Sequence, residues 1–275
     1  MGTKLQSENE LTILVRCSDD FRVFDLLRSI DYKGADLIVC LTPNFQIQSI
    51  LKDSGINYVV SPKGNFARTT LSGLEVIKTS KVLLVDSDCE FFPNSIQRLS
   101  SLAMRNVDIV CPNVVFESKS PSSFLTNLQR TFQYESCGYV YEPGLLINLK
   151  TLLPKVGGYL FSEYAPFTPD GELDFRIRHS EYKITIVRDN EATLLHKSLK
   201  FTDNIKSNWR YGYSDALVTE KLQQDMLKDF TSMLKSKYKS FLSFKYHFLT
   251  VLVSVSCDFI YLISLLWHIR KIKQE

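Results

Sequence analysis

Two carboxylates one residue apart, Asp86 and Asp88, directly follow the apolar run KVLLV of residues 81–85. A continuous run of this kind predicts a strand covered on both faces, and ligands of open parallel sheets collect at the carboxyl ends of the strands. Carboxylate oxygens at that place can hold a divalent cation that binds a diphosphate. Asp-Ser-Asp is also a common sequence in turns, so the motif alone would be weak evidence. Its position directly after the strand makes this pair a candidate site.

A second acidic group and a histidine lie further along the chain. Asp170, Glu172 and Asp174 occupy the start of a predicted helix. Carboxylates there can act as a general base, or they can simply cap and solvate the helix. His196 follows a predicted strand at residues 183–187 by a short connection. A histidine in that place is either a metal ligand or an ordinary structural residue.

Further polar and cationic side chains near the predicted strand ends are candidates for binding an anionic ligand such as a diphosphate. They follow the first predicted strand, flank Gly64 or lie downstream of His196, and they are Arg16, Ser18, Asp19, Lys63, Arg68 and Arg210. A mobile basic segment that closes over a departing diphosphate would stabilise the charge that develops on it. For each cation alone, a solvated surface position is the alternative.

Alternating apolar and amphipathic segments must position these residues. Apolar runs predict strands at residues 11–16, 35–41, 56–60 and 81–85, with helices at 21–30, 47–54 and 69–79 between them. The looser pattern that follows predicts strands at 107–110, 145–147 and 183–187, and helices at 124–133 and 172–178. Alternation of this kind indicates βαβ units. The sequence therefore predicts an α/β fold with a Rossmann-like, mostly parallel central sheet flanked by helices.

The C-terminal region, residues 216–275, has a different character. Residues 216–235 predict a polar helix, lysines alternate with aromatics over about residues 228–247, and residues 248–267 are apolar except for Asp258. At a rise of about 1.5 Å per residue, the apolar run could cross a hydrocarbon core about 30 Å thick. A full span, a helix in the membrane interface and a buried helix of a soluble domain all fit the pattern. We expect a helical segment that associates with a membrane.

Composition narrows the class of protein. A hydrophobic fraction of 44% with 12% aromatics is that of a folded chain. A net charge of +3, without a densely basic stretch in residues 1–200, is too small to indicate nucleic acid as a partner. The six cysteines are scattered without a C-x-x-C pair, which indicates reduced thiols. The first residues lack the apolar segment of a secretory signal. We therefore expect the main domain to be cytoplasmic.

Four segments, in order, resemble the GT-A glycosyltransferases, specifically the family-2 group of mostly inverting enzymes. VLLVDSDCEFFPNSI is similar to their nucleotide-binding centre, and LTILVRCSDDFRVFDLLRSI to the first strand and helix, whose loop holds the base. NYVVSPKGNFARTTLSGLEVIKTS is similar to the segment before the D-x-D, and residues 144–187 to the acceptor-side block. The resemblance covers residues 11–200 and implies a GT-A domain.

The resemblance implies a role for each acidic residue and for the histidine. Asp86 would contact the ribose or base of the donor and is also a possible metal ligand. Asp88 and His196 would ligate Mn²⁺ or Mg²⁺ bound to the diphosphate. Glu172 falls where the family commonly has the aspartate that deprotonates the acceptor hydroxyl. Because glutamate places its carboxylate one methylene further out, Asp170 and Asp174 remain rival bases.

Three departures from the family pattern bear on the substrate rather than on the fold. Arg-Cys-Ser-Asp follows the first predicted strand where Pro-Thr-x-Asn is common, and of an Ala-Arg-Asn-x-Gly pattern only Gly73 remains. The family's processive synthases carry Gln-x-x-Arg-Trp downstream, whereas this chain has Asn208-Trp209-Arg210-Tyr211. The last departure favours transfer of a single sugar over polymer synthesis.

The sequence thus predicts a GT-A domain at residues 1–215 and a C-terminal helical region at 216–275. The expected reaction is metal-dependent, inverting transfer of one sugar from a nucleotide-diphosphate sugar to a hydroxyl of a glycan or lipid-linked acceptor. One alternative is a catalytically degenerate, membrane-attached binding or scaffold protein, suggested by glutamate at the base position. The other is a sugar nucleotidyltransferase, which would have a glycine-rich basic signature where this chain has RCSDDF.

Overall fold

The computed structural model describes residues 10–105, 107–137, 140, 143–239 and 248–274. The chain divides into two compact units. Unit 1 comprises Met1–Val114, Tyr141–Phe161 and Arg176–His196. Unit 2 comprises Val115–Val140, Ser162–Phe175 and Lys197–Glu275. Strands dominate unit 1 and helices dominate unit 2.

Unit 1 is built on a mixed sheet that has eight strands among the described residues. The strands are β1 (Leu11–Cys17), β2 (Ala35–Leu41), β3 (Asn57–Val60), β4 (Lys81–Asp86), β5 (Cys89–Phe91), β6 (Ile109–Phe116), β7 (Leu145–Asn148) and β8 (Ile186–His196). Their spatial order is β3-β2-β1-β4-β7-β6-β8-β5. The first four strands in this order pair in parallel, whereas β7 is antiparallel to β4 and β6, and β5 to β8.

The helices include those that cover the sheet and those that form unit 2. They are α1 (Val23–Ser29), α2 (Phe45–Asp53), α3 (Phe66–Leu74), α4 (Ser95–Ala103), α5 (Pro121–Cys137), α6 (Leu149–Leu152), α7 (Pro169–Arg178), α8 (Phe201–Leu222), α9 (Met226–Lys239) and α10 (Phe248–Ile272). Asn44 and Asn65 begin α2 and α3, because their side-chain oxygens accept backbone N–H groups of the first helical turn.

Close packing of α3 on the sheet depends on Gly73. A Cβ at this position would lie 2.1 Å from Cys40 Sγ and 2.6 Å from Leu14 Cδ1. Any side chain here would therefore push α3 away from β1 and β2. Since α3 leads the chain towards β4, this glycine helps to fix the strand that carries the two carboxylates.

Unit 2 is a helical assembly in which α10 packs along α8 and also contacts α5. At Gly212 of α8 a Cβ would lie 2.5 Å from the carbonyl oxygen of Tyr261 and 2.8 Å from the backbone nitrogen of Leu265. Glycine at this point therefore lets the α8 backbone approach the α10 backbone. A small apolar cluster of Ala165, Val218 and Met226 completes the packing of this unit.

The predicted α/β class is confirmed, with a mostly parallel sheet flanked by helices and one apolar C-terminal helix. The predictions for β1, β2 and β4 agree with the structure to within one residue, and β3 begins one residue later than predicted. The predicted helix at 69–79 is α3, which begins at Phe66 and ends at Leu74. The predicted helix at 216–235 is divided between α8 and α9. The basic stretch of residues 228–247 continues past α9 into residues 240–247, which lie outside the described residues.

The strand predicted at residues 183–187 is wrong in position. The strand is β8, and it continues through the polar sequence Arg-Asp-Asn-Glu, which is typical of a turn. Asp189 of this sequence forms an ion pair with Arg98 at 3.1 Å and accepts the N–H group of Glu191 at 2.9 Å. These tertiary contacts satisfy the polar groups, so the strand persists to His196. The short strand β5 has no periodicity of its own and was not predicted.

Candidate functional site

The ends of β1 and β4 join Arg16 to Asp86 in unit 1. The two residues lie opposite each other in the parallel register, and Arg16 Nε and Nη2 each lie 2.7 Å from Asp86 Oδ1. The guanidinium also lies over the Phe66 ring, 5.4 Å from its centroid. Arg16, a candidate for binding the base, is therefore held in place by the carboxylate that was expected to contact the ribose.

Asp88 lies beside His196 because β5 begins immediately after the acidic pair. Cys89 is the register partner of His196 in the antiparallel β5–β8 pair. Asp88 Oδ2 lies 3.7 Å from His196 Nε2, and the two side chains are 15% and 5% exposed. The structure therefore brings together two residues far apart in sequence that were both predicted to be metal ligands. His196 is the last residue of β8, not part of a connection after it.

Asp88 and His196 are spaced for a shared cation. Metal–oxygen and metal–nitrogen distances of about 2.0–2.3 Å allow one ion to bridge atoms at their observed separation. Among the described residues, no group of three or more His, Cys, Asp or Glu side chains is arranged to hold a metal. Asp88 and His196 would thus supply two ligands to a divalent cation such as Mn²⁺ or Mg²⁺.

Arg22 is an additional cation that the sequence analysis did not identify. Its Nη2 atom lies 2.6 Å from Asp20 and 3.6 Å from Asp88 Oδ2. The side-chain contact with Asp20 places the guanidinium next to the candidate metal ligand. The sequence signal was the charge-rich segment RCSDDFR itself, in which the cation follows two aspartates.

The loop after β1 is tied to the loop before α3 by exposed polar contacts. Lys63 Nζ donates to Asp19 Oδ2 at 3.1 Å, and the hydrogen bond and charge of Lys63 lower the pKa of Asp19. The Ser18 hydroxyl lies 3.4 Å from that of Thr42. Arg68 is exposed in the first turn of α3. Three of the predicted donor-binding residues, Ser18, Asp19 and Lys63, therefore lie on the connections that follow strands β1 and β3, and Arg68 lies at the start of the helix that comes next.

The acidic segment 170–174 belongs to α7 and is described within unit 2. Glu172 is fully buried, and its Oε1 atom accepts a hydrogen bond from Gln224 Nε2 at 3.0 Å. Asp174 is also buried and accepts the N–H group of Val140 at 3.3 Å. Asp170 is half-buried in the first turn. The three candidate bases thus differ in accessibility, and Asp170 is the one with partial exposure.

A buried carboxyl of α8 anchors the start of α7. Asp215 accepts a hydrogen bond from Thr168 Oγ1 at 2.5 Å and another from the Tyr261 hydroxyl. Burial raises the pKa of Asp215 to about 7, although both hydrogen bonds act in the opposite direction. Thr168 in turn accepts the N–H group of Glu172 through its carbonyl oxygen at 3.0 Å. The acidic segment is therefore connected to α8 and α10 through one side chain.

Arg210, a predicted phosphate-binding residue, also lies on α8. Its guanidinium is 5.8 Å from the ring centroid of Phe167, next to the residues that precede α7. Gln224 and Asp215 were missed at the sequence level, because a glutamine after a helix and an aspartate within one have no distinctive spacing. The one sequence feature that indicates burial of Asp215 is its position next to Ala216 and near Val218, both apolar.

Part of the chain matches a known sequence family. Residues 42–155 match the sequence family described as Glycosyl transferase family 2. The matched segment includes β4 and the Asp86–Asp88 pair, and it stops before the acidic segment of α7. No curated protein matches the sequence of the chain significantly.

Solved structures of S. aureus TarS share the fold at low sequence identity. TarS 1–349 in complex with UDP-GlcNAc has a TM-score of 0.51 at 13% identity, over 90% of this chain and 79% of that one. TarS 1–349 alone gives 0.52 at 14% identity, over 92% and 81%. Another TarS structure gives 0.50 at 14% identity, and the match spans 78% of this chain but only 43% of that one. At this identity the likeness concerns the fold alone.

Proposed function

Since the chain has the GT-A fold and a family-2 glycosyltransferase segment, we propose that it transfers a single sugar from a nucleotide-diphosphate sugar to an acceptor hydroxyl. The observation that carries the proposal is the convergence of Arg16, Asp86, Asp88 and His196 at the ends of β1, β4 and β8. A TarS structure contains UDP-GlcNAc, which makes this compound the first donor to test.

On the donor side, each residue has a defined task. Asp86, oriented by Arg16, accepts hydrogen bonds from the ribose or base. Asp88 and His196 hold Mn²⁺ or Mg²⁺, which when bound neutralises charge on the leaving diphosphate. Ser18 and Asp19 border the base, and the cations Lys63, Arg68 and Arg210 are assigned to the phosphates.

On the acceptor side, Glu172 is the proposed base, with Asp170 and Asp174 as alternatives. The carboxylate takes the proton of the acceptor hydroxyl while that oxygen bonds to the anomeric carbon and the bond to the diphosphate oxygen breaks. Attack opposite the leaving group inverts the anomeric centre. Because Glu172 is buried against Gln224, it can act only after this hydrogen bond opens, whereas Asp170 is half-buried.

The acceptor is a glycan or a lipid-linked sugar at a membrane, with the catalytic domain on the cytoplasmic side. Support comes from the length and apolar composition of α10, which suit contact with a membrane. The modest net charge of +3 agrees with a partner other than nucleic acid.

The proposal is tested by calorimetric titration of the full-length protein with UDP-GlcNAc, UDP and GDP, each with and without Mn²⁺. We expect one nucleotide to bind in a metal-dependent manner and Asp88→Ala to abolish that binding. Asp53→Ala, an exposed aspartate at the end of α2, is the matched control and should bind normally. Equal binding by Asp88→Ala and the unmodified protein would remove Asp88 from the donor site.

The burial of Glu172 also favours a second function, a nucleotide-sugar-binding scaffold without turnover. That protein would bind the donor as above but would release no nucleotide in the presence of any acceptor. Nucleotide release measured with Glu172→Gln beside the unmodified protein separates the two functions. Release that is lost in the variant supports the enzyme, and metal-dependent binding with no release from either protein supports the scaffold.

A further inference from the structure

Helix α10 exposes a long apolar side, which an ordinary surface helix does not. Its exposed side includes Leu252, Val255, Phe259, Ile263, Leu266 and Trp267, of which Phe259 and Trp267 are 61% and 63% exposed. Its buried side mixes the polar Thr250, Ser254 and Ser264 with Val253, Cys257 and Leu265. An apolar stripe this long on a protein surface marks an interaction site.

The polar face of α10 is docked on the neighbouring helices along its length. Lys237 of α9 forms an ion pair with Asp258 at 2.7 Å, and the Tyr238 hydroxyl donates to the same carboxylate at 2.5 Å. One turn further on, Tyr261 donates to Asp215 of α8. Ser264 Oγ then donates to the carbonyl oxygen of Trp209 at 2.6 Å. The only formal charge in the central part of α10 is thus satisfied within the protein.

This docking is incompatible with a membrane span. α8 runs beside α10 and contains exposed Asp203, Lys206 and Arg210. If α10 crossed the hydrocarbon core in this packing, α8 would enter it too, and these charges would lose their water. A helix that keeps one face on the protein and offers the other to lipid avoids this cost.

Cations near the stripe indicate which surface covers it. Arg270 and Lys271 are exposed in the last turn of α10, next to Trp267. Lys235 and Lys239 are exposed on α9, on either side of the Lys237 that pairs with Asp258 near the middle of α10. Basic residues beside an apolar stripe favour anionic headgroups, and tryptophan prefers the membrane interface. A second copy of the chain would place these like charges against each other if the stripes packed in parallel.

We propose that α10 is a monotopic anchor that lies in the plane of an anionic lipid surface. The Leu252–Trp267 stripe enters the interfacial layer, the Arg270 and Lys271 side chains contact lipid headgroups, and the polar face stays docked on α8 and α9. The anchor holds unit 2, and with it the acidic segment of α7, at the membrane surface. This inference does not depend on the identity of the donor sugar.

Binding of the full-length protein to vesicles tests the proposal, with Trp267 as the probe. In a Trp209→Phe background Trp267 is the only tryptophan. We expect its emission to shift to the blue on vesicles that contain phosphatidylserine, and to be quenched most by lipids brominated near the headgroup. Arg270→Gln with Lys271→Gln should weaken partition about 25-fold, or about five-fold per charge. Phe259→Glu should weaken it on the order of ten-fold or more, whereas Phe45→Glu, exposed on α2, should not.

Three outcomes would overturn the proposal. The first is no shift of Trp267 with any vesicle, with folding verified by circular dichroism. The second is a stable dimer in solution that Phe259→Glu dissociates, which would assign the stripe to a second copy. The third is a true membrane span, which a Gln274→Cys variant in inside-out vesicles would reveal. If α10 spans the membrane, the new cysteine is shielded from a membrane-impermeant thiol reagent. If α10 lies in the cytoplasmic interface, the cysteine reacts.

Discussion

The two units use carboxylates in opposite ways. At the strand ends of unit 1, Asp86 and Asp88 keep part of their surface accessible and are oriented by Arg16 and Arg22. In unit 2, Asp215 and Glu172 are buried and bind donors on neighbouring segments. Accessible carboxylates with cationic neighbours can exchange those neighbours for a ligand, whereas buried ones mainly hold segments together. Glu172 is the residue for which this division matters most, because it is buried but proposed as the base.

The largest effect is expected from Glu172→Gln. If Glu172 is the base, the turnover number should fall about 10²–10⁴-fold. The free energy of unfolding should change by less than about 1 kcal/mol, since glutamine still offers an acceptor to Gln224. Turnover and urea unfolding of Glu172→Gln, Asp170→Asn and Asp174→Asn provide the measurement. A loss confined to Asp170→Asn would move the base to the half-buried carboxylate and make Glu172 purely structural.

The pH dependence of stability sharpens the contrast at Asp215. Its folded-state pKa is raised to about 7, so between about pH 4 and pH 7 the folded state holds a proton that the unfolded state has lost. Stability should therefore fall as pH rises through this window, by up to about 4 kcal/mol, and level off above it. Asp215→Asn should flatten the profile in denaturant unfolding. Asp203→Asn, exposed on the same helix, is the control, and a profile unchanged by Asp215→Asn would contradict the assignment.

A smaller effect is expected at the contact between α8 and α10. Gly212→Val places atoms where the α10 backbone lies and should cost about 1–3 kcal/mol of unfolding free energy. The comparison variant Ser207→Val introduces the same β-branched side chain on α8, at a residue whose hydroxyl donates within the helix to the Asp203 carbonyl oxygen. Urea unfolding of the two proteins provides the measurement. Equal stability would show that the two helices can separate without loss.

The smallest effect on stability is expected at Lys63. Its ion pair with Asp19 is exposed on both sides, so Lys63→Ala should change the unfolding free energy by less than about 1 kcal/mol. If Lys63 contacts phosphate, nucleotide affinity should still fall several-fold, as calorimetry would reveal. A loss of stability without a loss of affinity would place Lys63 among the structural residues and remove it from the donor site.

The sequence predicted the features that depend on local pattern. The apolar run of β4 and the carboxylates after it predicted one half of the candidate donor site, because burial on both faces leaves a clear signature. His196 was identified by its order in the chain, but its contact with Asp88 depends on β5 and on a polar strand that reads as a turn. Such pairings follow from tertiary contacts such as that of Arg98 with Asp189, which no local propensity contains.

The helical unit was less predictable for a related reason. The apolar run of α10 was evident from the sequence, but which side of the helix is exposed was not. The helix exposes most of its large apolar side chains, and its polar side chains contact α8. Contacts such as that of Gln224 with Glu172 join residues 52 positions apart and have no spacing rule. Polar residues such as Glu172 and Asp215, which are typical of solvated helices, are buried in this unit.

The close packing of α8 on α10 at Gly212 limits how the protein can be truncated for expression. A hydrophobic C-terminal helix invites removal, on the assumption that a soluble catalytic portion remains. Here the removed helix would uncover the Asp215 carboxyl and the Asn204 amide, both of which have partners on α10. The remaining helices would expose polar groups that are otherwise buried. The Asp215 carboxyl, which accepts a hydrogen bond from Thr168 at the start of α7, would also lose its partner Tyr261. Solubility is better sought by replacing the outward apolar side chains than by cutting the chain.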